Sequence, residues 1–390
     1  MKKVTRTICL GLVLLGLSAS SRGQVEENTV IVGEKPLIQM AILLDTSGSM
    51  TGLIDQARAE LWAIVNEFIY AQRNGRAPEF QVALYEYGKS SIDKDKGYIR
   101  KIVPFTTDLD KVSEELFALT TNGGDEYCGW VIKEATDSLQ WSNSSDDLKV
   151  IFIAGNEPFT QGPIDYKEAC RAAISKGIIV NTIHCGSESD GIGGKWKDGA
   201  VLADGRYLNI DHNRKTIHID APQDKEIAEL GKKLNDTYIA YGTGGEVARR
   251  RQTEQDKNAL GISGEAAVQR SVSKSSAFYR NDAWDLVDAT RNNKVKLDDV
   301  KVEELPENMR KMTPEERKAY VETKEKQREE IQQKIQQLNE QRKKYVADEM
   351  KRLQKEAGTL GSAVIQAVRE QAKRKNFEVK SPEQLTEKAN

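Results

Sequence analysis

"MAILLDTSGSMTGLIDQ", Met40 to Gln56, runs from an apolar stretch into one acid and several small polar residues, and then into a new apolar rhythm. With the residues before it, "LIQMAILLD" is continuously apolar up to Asp45, the pattern of a strand buried on both faces. Beyond the turn, Ile54, Ala57, Leu61, Ile64, Val65 and Phe68 recur at helical spacing, so a helix packed on one side follows. Asp45, Ser47 and Ser49 fall between the two and cannot pack in a core. Oxygen donors grouped where a strand becomes a helix suit a hard cation or an anion. A helix N-terminus would welcome an anion beside Ser47 and Ser49, but Asp45 would repel it. The same residues could also simply cap the helix without any guest.

The alternation continues outward. "FQVALYEYG" (Phe80–Gly88), "GYIRKIVPFT", "LKVIFIAGNEPF" and "IIVNTIHCG" read as strands. "DLDKVSEELFALT", opened by Asp108, "CGWVIKEATDSLQW", "IDYKEACRAAISKG", closed by Gly177, and "QDKEIAELGKKLN" read as helices, with "GRYLNID" and a closing strand "TYIAYG" near the end. Strands alternating with helices predict a doubly wound, mostly parallel α/β sheet covered on both faces. Such sheets bind ligands in the crevice outside the strands' carboxyl ends, where the Asp45 turn falls.

The chain has 390 residues, 38% hydrophobic and 30% charged, lean for one globule but suited to a folded domain joined to a polar helical part. A net charge of -2, without a basic patch carrying aromatics, argues against nucleic acid as a partner. Residues 1–23 have the layout of a signal peptide: Lys2, Lys3 and Arg6, an apolar run from Ile8 to Leu17, and cleavage between Ala19 and Gln24. The expected location is therefore periplasmic, cell-surface or secreted. No later segment is apolar enough for a transmembrane helix. Cys128, Cys170 and Cys185 show no CxxC spacing, which disfavours zinc and thioredoxin-like chemistry; buried thiols or one disulfide both fit. His184 and Cys185 are consecutive on a strand, point to opposite faces and cannot share a proton. His212 and His218 lie in a turn-rich stretch. No GxSxG, HExxH, P-loop or supported GxGxxG occurs.

Residues 243–312 read as a linker with short helices, one docking through Phe278, Trp284, Leu286 and Val287. Thr313, Pro314 and Glu316 form a capping box that opens a long helix, and 313–390 reads as a long helical or coiled-coil region. Its seam of Ile331, Ile335, Leu338 and Tyr345 is interrupted by Arg342 and Glu349, so a docked helix and a self-associating coiled coil both fit.

Asp45-Thr46-Ser47-Gly48-Ser49, between an apolar strand and an amphipathic helix, resembles the DxSxS signature of von Willebrand factor type A domains, with a likeness over 36–242. The resemblance implies a metal-ion-dependent adhesion site holding Mg²⁺ (or Mn²⁺ or Ca²⁺), with Ser47 and Ser49 as direct ligands and Asp45 acting through water. In the first further loop, "LTTNGGDEYCGW", Asp125 stands where the family has Thr after a Gly pair, with Thr121 as the fallback ligand. In the second, "FIAGNEPF", Gly155 or Asn156 replaces the family's Asp, and Asn156 or Glu157 would be an outer-shell contact. The function so implied is a non-enzymatic module that binds a protein partner's acidic side chain. A metal-independent envelope scaffold is the alternative. A metal-assisted hydrolase would need Glu126 or Glu157 as its base.

Overall fold

The computed structural model describes residues 35–68, 71–211, 213, 219–352 and 360–379. The expected leader, His212 and His218 lie outside the described residues.

Six strands form one sheet: β1 (Leu37–Asp45), β2 (Glu79–Tyr87), β3 (Ile99–Thr106), β4 (Leu148–Gly155), β5 (Ile179–Cys185) and β6 (Tyr207–Ile210). Their order is β3-β2-β1-β4-β5-β6, parallel except for the antiparallel edge strand β3. This is the mostly parallel, doubly wound sheet that the alternation predicts. The chain leaves β1 towards β2 and later returns on β1's other side with β4, so a crevice opens at β1's carboxyl end. Asp45 pairs with Tyr87, and Leu44 with Ala154, which puts Asp45 at that crevice.

The period of two along β1 divides its side chains between two cores. Ile38, Met40 and Leu44 pack under α1 (Thr51–Asn66) and α2 (Leu109–Ala118). Ala41 and Leu43 pack under α3 (Cys128–Ser138) and α4 (Tyr166–Ser175). After β5 come α5 (Glu188–Gly193) and α6 (Trp196–Leu202), which brings Trp196 into that second core. Cys128, Cys170 and Cys185 are buried free thiols.

Past β6 the chain departs from the sequence reading in two places. "TYIAYG" is not a sheet strand: Ala240 bridges Asp285, and Leu286 donates to the Ile239 carbonyl at 2.9 Å. The stretch read as linker instead continues from α7 (Asp224–Asn235) into α8 (Gly245–Ile262) and α9 (Gly264–Lys274). Their buried positions include Gln252, Gln255, Arg270, Ser273 and Lys274, so no apolar stripe announces them. Arg270 is the hub. It donates to Asp110 at 2.6 Å and Asp256 at 2.7 Å and stacks over Trp62.

Then follow α10 (Leu286–Arg291), α11 (Glu307–Arg310), α12 (Pro314–Arg352) and α13 (Leu360–Arg374). The capping box forms, with Thr313 N–H donating to Glu316 at 2.8 Å and Glu316 N–H to Thr313 Oγ1 at 3.3 Å. Of the two uses the seam allowed, docking is the one seen inside the chain: Ile335 and Leu338 pack with Ile227, Leu234, Val268 and Val272. Arg342, which breaks the apolar repeat, is buried and paired with Asp224 and Glu265. Helix α13 returns to the sheet beside α1. Leu360, Val364, Ala367, Val368 and Ala372 join the core of Ile38 and Met40, and Gln371 exchanges two amide hydrogen bonds with Asn181 of β5. Among the described residues no helix is long and apolar enough to cross a membrane.

Candidate functional site

Asp45 ends β1 fully buried. Its Oδ1 accepts the Ser47 N–H at 2.7 Å, while Oδ2 is buried without a hydrogen-bond partner. Thr46 clamps the turn to β2: its N–H donates to the Tyr87 carbonyl at 2.9 Å, and its hydroxyl to Glu86 at 3.2 Å. Glu86, buried, is paired with Arg100. The Ser47 and Ser49 hydroxyls lie 3.3 Å apart, Ser47 buried and Ser49 exposed. Ser47 precedes the helical turn Gly48–Met50 but makes no side-chain capping bond to it. Its hydroxyl is thus not committed to the helix's own N–H groups, as simple capping would require.

The first further loop is laid against this turn by its backbone. Asn122 N–H donates to the Thr46 carbonyl at 3.1 Å, and the Thr121 and Thr51 hydroxyls are 2.9 Å apart. Asp125 is exposed, its carboxylate accepting the Tyr127 hydroxyl at 3.1 Å. The next residue is the one that turns inward. Glu126 is 5% exposed, its N–H held by Gln161 Oε1 at 2.6 Å, and its Oε2 is buried without a partner. Gly88, at φ +81°, marks how closely the acids approach. A Cβ placed there would lie 2.6 Å from Glu126 Cγ and 2.9 Å from Asp45 Oδ1. Sequence reading named Glu126 only as a conceivable base; which of two adjacent acids faces inward has no signature in residue spacing.

The second loop explains the missing family Asp. A Cβ on Gly155 would lie 2.5 Å from the Tyr87 hydroxyl and 3.1 Å from Asp45 Oδ2, so no longer side chain fits. Asn156 reaches across instead, donating from Nδ2 to Ser49 Oγ at 3.1 Å while its Oδ1 is buried and unpartnered. Glu157 is exposed, and its carbonyl accepts Trp196 Nε1 at 2.8 Å. His184, buried, has Nε2 3.3 Å from the Asn156 carbonyl and so braces this loop.

Burial pushes the Asp45 carboxyl up to about 7, with Glu157's charge adding and hydrogen bonds from Ser47 opposing. Burial and then Asp45's charge push Glu126 up to about 8. Asp45, Ser47, Ser49, Glu126 and Asn156 thus form an all-oxygen set with three buried orphan atoms. Such a set suits a hard divalent cation, and not the softer metals that prefer imidazole and thiolate. Among the described residues no group of three or more His, Cys, Asp or Glu could hold a metal, so hydroxyl and amide oxygens would have to complete any shell.

Residues 39–191 match the family model of the von Willebrand factor type A domain. Among solved structures, BatB from Bacteroides thetaiotaomicron is 17% identical, with 45% of this chain and 90% of that chain covered and a TM-score of 0.35. The SpRpn10 VWA domain is 18% identical, covering 45% and 88%, with a TM-score of 0.34. An aerotolerance-related membrane protein from Bacteroides fragilis is 15% identical, covering 45% and 93%, with a TM-score of 0.31. No curated protein matches the chain. The family match starts inside β1, takes in the Asp45 turn and both further loops, and ends in α5. The likeness to the von Willebrand factor type A domain therefore falls on the stretch that carries the candidate rim.

Proposed function

We propose that this chain is an exported, non-enzymatic protein-binding module that grips an acidic side chain of its partner through a divalent cation, Mg²⁺ or Mn²⁺ or Ca²⁺, at the rim formed by Asp45, Ser47 and Ser49. One observation carries the reading: Asp45 Oδ2 is buried at the sheet's carboxyl edge with no hydrogen-bond partner, next to two hydroxyls that cap nothing. Leaving a buried carboxylate oxygen unsatisfied costs free energy unless a cation or proton completes it. When bound, a divalent ion supplies an electrophilic centre with room for an outside carboxylate. The chain's own part is to fix the donors: Thr46 holds the turn to β2, and Asn156 Nδ2 orients Ser49. Ser49 is exposed, so a partner reaches the rim from that side. The basic and apolar leader supports export. The charge and geometry support contact through one directional bond plus a surrounding interface, which a stable complex needs at roughly 1,200–2,000 Å².

A second reading, a metal-independent scaffold of the envelope, draws on the raised carboxyls of Asp45 and Glu126, because a proton held between them also neutralises the pair. Capture from an envelope fraction, with and without chelator, separates the two. The cation reading expects a partner released by chelator and absent for Ser47→Ala/Ser49→Ala. Capture unchanged by both would leave the scaffold.

A further inference from the structure

The family's first loop offers a neutral threonine; here the same loop delivers two acids, and the fold gives them opposite orientations. Asp125 is exposed and tied to the Tyr127 hydroxyl. Glu126 and Asp45 both crowd against Gly88, and Glu126 Oε2 is sealed from solvent and unbonded. The Ser47 N–H donates to Asp45 Oδ1 at 2.7 Å, and its hydroxyl lies 3.3 Å from that of Ser49, so the turn is gathered around the same buried acid. Among the described residues no Lys or Arg forms an ion pair with either acid; Lys89 and Arg100 are paired with Glu86. Gly88 cannot yield to separate the acids, since its φ of +81° and the 2.6 Å approach leave no room for a side chain.

We propose that Glu126, not Asp125, is the first-loop ligand of the divalent cation, and that with it the chain holds the ion before any partner arrives. This rests on the cation reading above. A carboxylate that has moved from the second loop to the first explains why Gly155 is tolerated, since the rim keeps two negative charges. It also turns the ion into a staple: an ion bonded to Glu126 and to Ser47 or Asp45 ties the 119–127 loop to β1. Asp125, left outside, is free to meet the partner's surface.

The two neighbours give a paired test on the full chain, with MnCl2, MgCl2 and CaCl2 as the probes and no partner present. Calorimetric titration and thermal melting are measured for the wild type, Glu126→Gln and Asp125→Asn. Glu126→Gln should weaken cation affinity about tenfold or more and remove most of the cation-induced rise in melting temperature, and Asp125→Asn should change both little. In chelator, Glu126→Gln should melt at or above the wild type, because the amide has the shape of the acid and places no second carboxyl beside buried Asp45. This keeps the result readable as ligand loss and not as misfolding. Equal cation responses in wild type and Glu126→Gln, or loss in Asp125→Asn alone, would overturn the assignment. A wild type that no cation stabilises would instead overturn the cation site itself.

Discussion

Arg328 of α12 is the contact on which the union of the helical region with the rest of the body should be tested. Its guanidinium is 1% exposed and donates to Asp285 at 2.6 Å, to Asp288 at 2.7 Å and to the Thr237 carbonyl at 2.7 Å, with the Tyr238 ring 4.1 Å away. Arg328→Met keeps most of the volume but takes the guanidinium from two buried carboxylates and a carbonyl, leaving Asp288 only Arg291 as its cation, at 2.9 Å. Removing one partner of a buried ion pair costs about 3–5 kcal/mol, and here two acids lose it together. Hydrophobic packing of the methionine offsets part of this, so a loss of about 3 kcal/mol is the expectation. Urea unfolding followed by both tryptophan fluorescence and far-ultraviolet circular dichroism gives the number, with the slope checked for constancy. Arg328→Met/Asp288→Asn should recover part of the loss, since it removes one of the two carboxylate charges. A loss under about 1 kcal/mol would refute the reasoning, because it would mean that water reaches these acids and the helix is not seated as described.

Two further outcomes follow from buried contacts. Asp256 would be raised by burial, but the charges of Lys274 and Arg270 outweigh that and hold its carboxyl at about 2, below the usual 3.8. Its contribution is therefore present above pH 4 and is lost as pH falls towards 2, so Asp256→Asn should cost about 2 kcal/mol at pH 6 with a gap that closes in acid; a gap independent of pH would contradict it. Val368 of α13 is 2% exposed against the sheet core, so Val368→Asp should destabilise by about 3 kcal/mol or more, and an unchanged melting curve would mean that α13 does not dock.

What could be read from residues alone depended on whether burial was apolar. The β1–turn–α1 unit was legible because "LIQMAILLD" is apolar throughout and the helix repeats at its own period. Helices α8 and α9 were not, because Gln252, Arg270 and Lys274 are buried by pairing with one another and with Asp110, Asp256 and Tyr279, and Gln255 by pairing with Ser113. Binary patterning records such positions as surface. Arg342 misled for the same reason. "TYIAYG" has strand composition, but its partner is a segment more than 40 residues later, outside the main sheet. At the rim, Asp45, Ser47 and Ser49 were visible as a motif, whereas the inward turn of Glu126 depends on Gln161 and on the left-handed Gly88, which only the folded chain brings near.

The return of α13 to the sheet has a consequence for the order in which the molecule is made. Residues 360–377 fill the space beside α1, some 300 positions after the strand they cover, as with Leu360 N–H on Gln56 Oε1 across a separation of 304. Until that stretch has emerged, one flank of the sheet has greasy side chains facing water, and contacts of such span form slowly. A chain threaded through a membrane from its front end would stay unfinished throughout the passage. The rim could then set firmly only on the far side, after the rear of the polypeptide has caught up.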